Sequence, residues 1–222
     1  MIRAAFCIFA VVVLGSASYA DEVKEIKDWG KVVDPDMDCK VKEDAGSFMI
    51  TIPGKHHDLT YTEAYTKLNA PRILQPVAGD FTLTVIVDFA LPKGAKSSGG
   101  AHAFTSGGLL LWQDDKNYIR LERAAVSQSE APFVWVEGFL NGKSVYQGLR
   151  RVGEAVTSLK IARQEGKLKF SYDDGAKGEW QELEIRETIE IPFKQAGVAA
   201  INSTDREHVV TFTELAFDQK RE

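Results

Sequence analysis

Cysteine is almost missing from this chain. Two occur in 222 residues, and Cys7 sits in an N-terminal apolar stretch that reads as a leader. Cys39 is then left without a partner, which excludes an intramolecular disulfide and a cysteine-built metal cluster; it is expected as a small buried hydrophobe. Past the N-terminus no apolar run approaches the ~20 residues that span a bilayer, so no membrane insertion is expected. Neither sign of charge dominates: 27 Lys+Arg stand against 32 Asp+Glu, net −5. A mixed, mildly acidic surface argues against nucleic acid and against an anionic membrane as partner. Also missing are a glycine-rich phosphate loop between strand and helix, a Gly-x-Ser-x-Gly elbow and a basic stripe. There is no internal repeat, no linker and no convincing long amphipathic helix. Glu182 to Ile189 comes nearest, and its alternation of Leu183 and Ile185 with Glu184 and Arg186 fits a strand equally well.

The first twenty residues read as a secretory signal peptide. Arg3 supplies the positive start, Ala4 to Leu14 the apolar stretch, and Ser18-Tyr19-Ala20 the small-x-small cleavage site before Asp21-Glu22. Cys7 lies too early for a lipid anchor. Residues 21–222 are expected to form one domain, secreted or periplasmic after cleavage near Ala20. Loss of Arg3 takes the net charge from −5 to −6. A chain of this size buries roughly 70% of its unfolded surface, so a core can supply its stability.

Strand patterns fill the rest. Phe81, Leu83, Val85, Val87 and Phe89 share one face of a run whose other face carries Thr82, Thr84 and Asp88. Leu168, Phe170 and Tyr172 share another, after the turn Gln164-Glu165-Gly166. The alternation assigns Val209, Thr211, Thr213, Leu215 and Phe217 to one face of a last strand. Further strands are predicted at 48–52, 72–77, 109–113, 118–123, 133–140, 144–149 and 198–202. Asn141-Gly142, Asp174-Gly175 and Pro53-Gly54 supply turns between them. Many short strands with polar turns predict an all-β protein, an antiparallel sandwich or barrel.

Several of these motifs occur together in one known family. Asp34-Pro35-Asp36, His57-Asp58-Leu59, Asn69-Ala70-Pro71-Arg72, Gly79-Asp80-Phe81, Gly108–Trp112 and Asn117–Arg123 resemble the regulation-of-enolase-like family, a domain of unknown function. The likeness runs from about Trp29 to Phe217. It implies a concanavalin A-like jelly-roll sandwich of two antiparallel sheets, in the lectin and glucanase superfamily, and implies no particular reaction. Ser171-Tyr172-Asp173-Asp174-Gly175 with Trp180 is similar to a hairpin common in such sandwiches, although Asp174 intervenes and Trp180 comes late.

Chemistry concentrates on two stretches. Tyr118, Arg120 and Glu122 share a strand face after the polar turn 114–117, and Phe133, Trp135, Glu137 and Phe139 share another. Aromatic rings that stack on sugar faces beside charged groups that take hydroxyls make a glycan-binding surface. The same residues also suit a packed aromatic layer under a covering loop, with Arg120 and Glu137 as its satisfied rim. Exposure of Trp112, Tyr118 and Trp135 on the concave sheet distinguishes the two. In a hairpin centred near Gln128, Glu122 and Glu137 lie diagonally, roughly 7–13 Å apart at ~3.3 Å per residue, a range that overlaps the ~6.5–9.5 Å of inverting glycosidases. Against catalysis, the glucanase pattern Glu-x-Asp-x-Glu is missing, and Arg120 and Arg123 are expected to hold both carboxylates ionised.

Four histidines occur. His57-Asp58 either ties down a turn or contacts ligand, and no second metal ligand lies at helical or hairpin spacing from it. His56, His102 and His208 are expected at the surface. Asp34-Pro-Asp-Met-Asp38 fails as an EF-hand, with Cys39 in the glycine position and Ala45 in that of the bidentate Glu, while a sandwich-edge calcium stays open. Asn202-Ser203-Thr204 is a glycosylation sequon only in a eukaryotic source.

The reading is a non-catalytic protein that binds a polysaccharide or glycan through Trp112, Tyr118, Arg120, Glu122, Trp135 and Glu137, with His57 and Asp58. No cofactor and no metal ligand are assigned. The alternatives are a glycoside hydrolase using Glu122 and Glu137, and a protein-interaction module. From the leader, mature protein recovered from its native host is expected to begin at Asp21; mass spectrometry that finds an intact Met1 refutes the leader.

Overall fold

A computed structural model describes residues 24–60, 67–99, 102–129, 131–153, 155–183 and 191–219, with Tyr146 by its backbone alone. The leader and most of Glu182–Ile189 lie outside these residues. Fifteen strands and no helix occur among them. In chain order they are β1 (Glu25–Ile26), β2 (Gly30–Val33), β3 (Lys40–Asp44), β4 (Ser47–Ile52), β5 (Arg72–Pro76), β6 (Phe81–Asp88), β7 (Phe104–Asp114) and β8 (Asn117–Val126). There follow β9 (Phe133–Leu140), β10 (Lys143–Arg151), β11 (Thr157–Gln164), β12 (Lys167–Asp174), β13 (Gln181–Glu182), β14 (Gln195–Asn202) and β15 (His208–Gln219).

They form two wholly antiparallel sheets. One has the order β1-β2-β5-β14-β7-β8-β9-β10, the other β13-β12-β11-β6-β15-β4-β3. Period-two alternation drives the inner faces together. Leu83, Val85 and Val87 of β6 and Leu159 and Ile161 of β11 meet Leu109 and Leu111 of β7, Ile119 and Leu121 of β8, and Val134 and Val136 of β9 in one apolar layer. Phe48 and Phe212 stack at 5.0 Å inside it.

The last strand departs from its sequence pattern. Val210 and Phe212 are the fully buried residues, while Val209 is 39% exposed. The β15–β6 register slips by one residue between Thr213 and Ala216, and Glu214 takes a φ of 51°. That bulge flips the alternation, which brings Leu215 and Phe217 back against the core. A single alternating set through Val209 and Phe217 is therefore corrected to two sets joined at Glu214.

The central hairpin β7–β8 is longer than the apolar runs suggest, because Ser106-Gly107-Gly108 continue the ladder opposite Ala124, Arg123 and Glu122 respectively. Gly108 permits this. A Cβ there would lie 2.1 Å from the Leu121 carbonyl oxygen and 2.6 Å from the Glu122 Cα. Gly108→Ala is expected to cost about 1–3 kcal/mol or more through backbone displacement, read as a lowered Tm. An unchanged Tm would show that the ladder yields there without strain.

Candidate functional site

On the face of the eight-stranded sheet away from the inter-sheet core, alternation places Leu110 and Trp112 of β7 beside Tyr118, Arg120 and Glu122 of β8. Phe133, Trp135, Glu137 and Phe139 of β9 come next. The register sets Tyr118 opposite Phe139, Arg120 opposite Glu137 and Glu122 opposite Trp135. Glu122 and Glu137 are thus two residues out of register, diagonal neighbours at roughly 7–8 Å between Cα atoms.

Half of this face is closed. Trp112 stacks on Tyr118 at 5.2 Å and Tyr118 on Phe139 at 4.6 Å. Leu59 and Leu68, from the segments on either side of residues 61–66, join them in a second apolar cluster with Ala70 and Leu74. The Arg72 guanidinium lies 4.4 Å over the Trp112 ring and donates to the Ala70 carbonyl at 3.3 Å. The Tyr118 hydroxyl donates to the Leu59 carbonyl. Trp112 and Tyr118 are buried, so neither presents an open ring face.

The other half is open. Asn141 and Gly142, both at positive φ (52° and 75°), turn β9 into β10. That turn brings Gln147 opposite Glu137 and Leu149 opposite Trp135. Trp135 is half-buried and Leu149 is 39% exposed. The Trp135 indole donates to Glu137 Oε2 at 3.4 Å, while Ser144 Oγ and Gln147 Nε2 donate to Glu137 Oε1 at 2.9 and 3.0 Å. The Arg151 guanidinium lies 5.9 Å over Phe133. Ser144, Gln147, Leu149 and Arg151 were not among the sequence candidates. Their signal was Asn141-Gly142, the dipeptide of a two-residue hairpin, which pairs their strand with Trp135's.

Arg120 joins the two halves. Its Nη2 donates to Glu137 Oε2 at 2.6 Å and to Thr60 Oγ1 at 3.1 Å. Nε lies 3.7 Å from Glu122 Oε2, and Nη1 lies 3.6 Å from Asp58 Oδ1. Burial opposes this cation, yet Glu122, Glu137 and Asp58 outweigh burial and raise its pKa. Burial also opposes the Glu137 carboxylate, but Arg120, Gln147 and Ser144 hold it below the usual range. Glu122 behaves differently. Its burial pushes it up to about 7, with Asp58 and Glu137 adding to the rise and Arg120 opposing it. The Ser106 side chain on β7 opposes the rise only weakly. Arg123 plays no part here: alternation turns it to the opposite face, where it donates to Thr157 Oγ1 at 2.9 Å and lies 5.2 Å over Phe89. The expectation of two arginines holding both carboxylates ionised is corrected to one arginine that holds Glu137.

His57 and Asp58 diverge. Asp58 Oδ1 accepts from the Leu59 and Thr60 amides at 2.7 and 2.9 Å, a local turn that aims the carboxylate at Arg120. The fully buried His57 ring points elsewhere, to the Lys55 carbonyl at 3.1 Å and Asp38 Oδ1 at 2.9 Å. Asn69 links the two regions, donating to Asp36 Oδ2 and accepting from the Asp58 amide. His208, expected at the surface, is buried edge-on to Phe89 with centroids 5.0 Å apart, and burial lowers its pKa to about 4.

No family model matches the chain, and no curated protein matches its sequence. Solved structures do match its fold. A functionally unknown protein from Saccharomyces cerevisiae is 14% identical with a TM-score of 0.65, over 87% of this chain and 98% of that one. The GH43 protein BlXynB from Bacillus licheniformis is 16% identical at 0.65, over 90% of this chain but 38% of its own. The VIP36 exoplasmic/lumenal domain, solved in a Ca2+/Man3GlcNAc-bound form, is 13% identical at 0.54, over 83% and 84%. With two antiparallel sheets and such neighbours, the chain has a lectin-like jelly-roll sandwich fold.

Glu122 ties stability to pH. An unperturbed glutamate titrates at 4.5 and folded Glu122 at about 7, so the folded chain holds the extra proton between those values. Its contribution is complete below about 4.5 and is lost as pH rises to about 7. Glu122→Gln is expected to flatten the fall in stability between pH 5 and 8 by on the order of 2 kcal/mol, measured by urea unfolding. Parallel pH profiles for wild type and variant would overturn it.

Proposed function

We propose that the protein is an exported, non-catalytic glycan-binding module of the regulation-of-enolase-like family, and that it takes its ligand on the open half of the outer sheet face. The observation that carries this reading is Trp135, half-exposed in mid-strand beside Leu149, with Glu137, Ser144 and Gln147 hydrogen-bonded along one side. A ring and an aliphatic neighbour accept the apolar face of a sugar, and the polar rim takes its hydroxyls. The glycan carried by the VIP36 domain supports a glycan ligand for this fold. The near-complete overlap with the yeast protein supports the fold that this reading needs. A polysaccharide or a glycan-decorated partner suits the site equally.

One observation favours a second reading, a glycoside hydrolase. Glu122 near 7 beside an ionised Glu137 is the split that an acid and a base require. Against it, Arg120 bonds Glu137 and lies within 3.7 Å of Glu122, so a guanidinium occupies the space where an inverting enzyme holds its water. Glu122 is also 1% exposed, out of reach of a glycosidic oxygen.

A glycan array is expected to give signal with the wild type. Trp135→Ala is then expected to lose roughly 1–3 kcal/mol of affinity, about 10- to 100-fold, with its circular dichroism retained. No array signal together with a steep fall in Tm on Trp135→Ala means that the ring is structural. Release of reducing sugar from a bound glycan, abolished by Glu122→Gln, supports the hydrolase instead.

A further inference from the structure

The Asp34–Cys39 loop and the Pro53–His57 turn, with His57 18 positions after Cys39, bring three kinds of metal-binding donor together. Asp38, Cys39 and His57 offer an oxygen, a sulfur and a nitrogen that all lie within 4.8 Å of one another. Cys39 Sγ is 3.6 Å and His57 Nε2 2.9 Å from the same oxygen, Asp38 Oδ1.

His57 decides what belongs between them. Its ring is fully buried, and Nδ1 faces the Lys55 carbonyl at 3.1 Å. A carbonyl only accepts, so Nδ1 carries a proton and a neutral ring turns its Nε2 lone pair the other way. That lone pair faces Asp38 Oδ1 and, at 4.0 Å, Asp36 Oδ2, which also only accept when ionised. A cation has to lie between nitrogen and carboxylate, either a proton or a metal ion. Lys55 and Lys67 take the outer oxygens, Asp38 Oδ2 and Asp36 Oδ1, and leave the inner ones toward the ring. Asp34 Oδ1, in the same loop, is buried with no hydrogen-bond partner.

We propose that Asp38, Cys39 and His57 bind a divalent transition-metal ion of the zinc class. Imidazole, thiolate and carboxylate form a donor set for a borderline-soft, four-coordinate ion, and a hard oxygen-seeking cation such as calcium is poorly served by it. Two anionic ligands and a neutral ring balance a charge of +2. Binding takes Cys39 as the thiolate and releases the thiol proton to solvent. Asp36 or a water can complete the shell. The ion would clamp the Asp34–Cys39 loop to His57, whose backbone is paired with Asn202 at the end of β14. This site is separate from Trp135, and its test does not depend on glycan binding.

The full chain, stripped with a chelator and dialysed against Zn2+, is expected to take up one ion per chain. Its Tm should rise by roughly 5–10 °C at about a hundredfold excess over Kd. Co2+ in place of Zn2+ should give a thiolate-to-cobalt charge-transfer band. Cys39→Ser should abolish the band, and Cys39→Ser and Asp38→Asn should each weaken zinc binding by at least about tenfold. Wild type that takes up no zinc overturns the proposal. So does cobalt bound without the charge-transfer band, a result that stands even where a variant fails to fold.

Discussion

At its centre the eight-stranded sheet is buried on both faces, and the rest of the structure answers to that. From Thr105 to Trp112 of β7 and from Tyr118 to Ala125 of β8 every residue is buried, the pattern expected of a middle layer. One face meets the seven-stranded sheet through aliphatic side chains. The other carries Arg120, Glu122 and Glu137, which burial leaves with no water to neutralise them. Each must then be satisfied by protein or give up its charge. Glu137 follows the first course, with donors from Arg120, Trp135, Ser144 and Gln147. Glu122 follows the second, since Arg120 reaches it only at 3.7 Å.

The covering segment follows from the same constraint. Asp58 and Thr60 reach Arg120 from above, and Leu59 and Leu68 seal the aromatic stack below them. The buried Arg120–Glu137 pair is a rigid element, because removing either partner leaves a charge uncompensated at a cost of about 3–5 kcal/mol. The stack Trp112–Tyr118–Phe139 is thereby withdrawn from solvent. Among the described residues the side toward β10 stays open, where Trp135 and Leu149 show apolar surface next to polar atoms already aligned on Glu137. Recognition surfaces combine apolar area with oriented polar groups in this way.

Two adjacent residues, His57 and Asp58, tie this arrangement to the end of the sandwich. Extended backbone sends them to opposite sides. One side chain holds the acidic Asp34–Cys39 loop and the other holds Arg120, while Asn69 bridges both neighbourhoods.

Local pattern was enough for the architecture. Alternation in Phe81–Asp88 and Phe133–Leu140 and the turns at Asn141-Gly142 and Glu165-Gly166 specify antiparallel strands, because period two and positive φ are properties of neighbouring residues. The β8–β9 register was also within reach, since the Arg120–Glu137 pair follows from a hairpin centred near Gln128. What depended on distant segments was not legible. The burial of Trp112, Tyr118 and His208 is imposed by Leu59, Leu68 and Phe89. The bulge at Glu214 comes from the partner strand β6, and the meeting of Cys39 with His57 from the packing of two remote turns. Sequence by itself determined which residues share a face. Only the tertiary structure decided what covers that face, since solvent exclusion belongs to surfaces brought together from far along the chain, and it is exclusion that sets the charge of Glu122 and leaves Trp135 half-open.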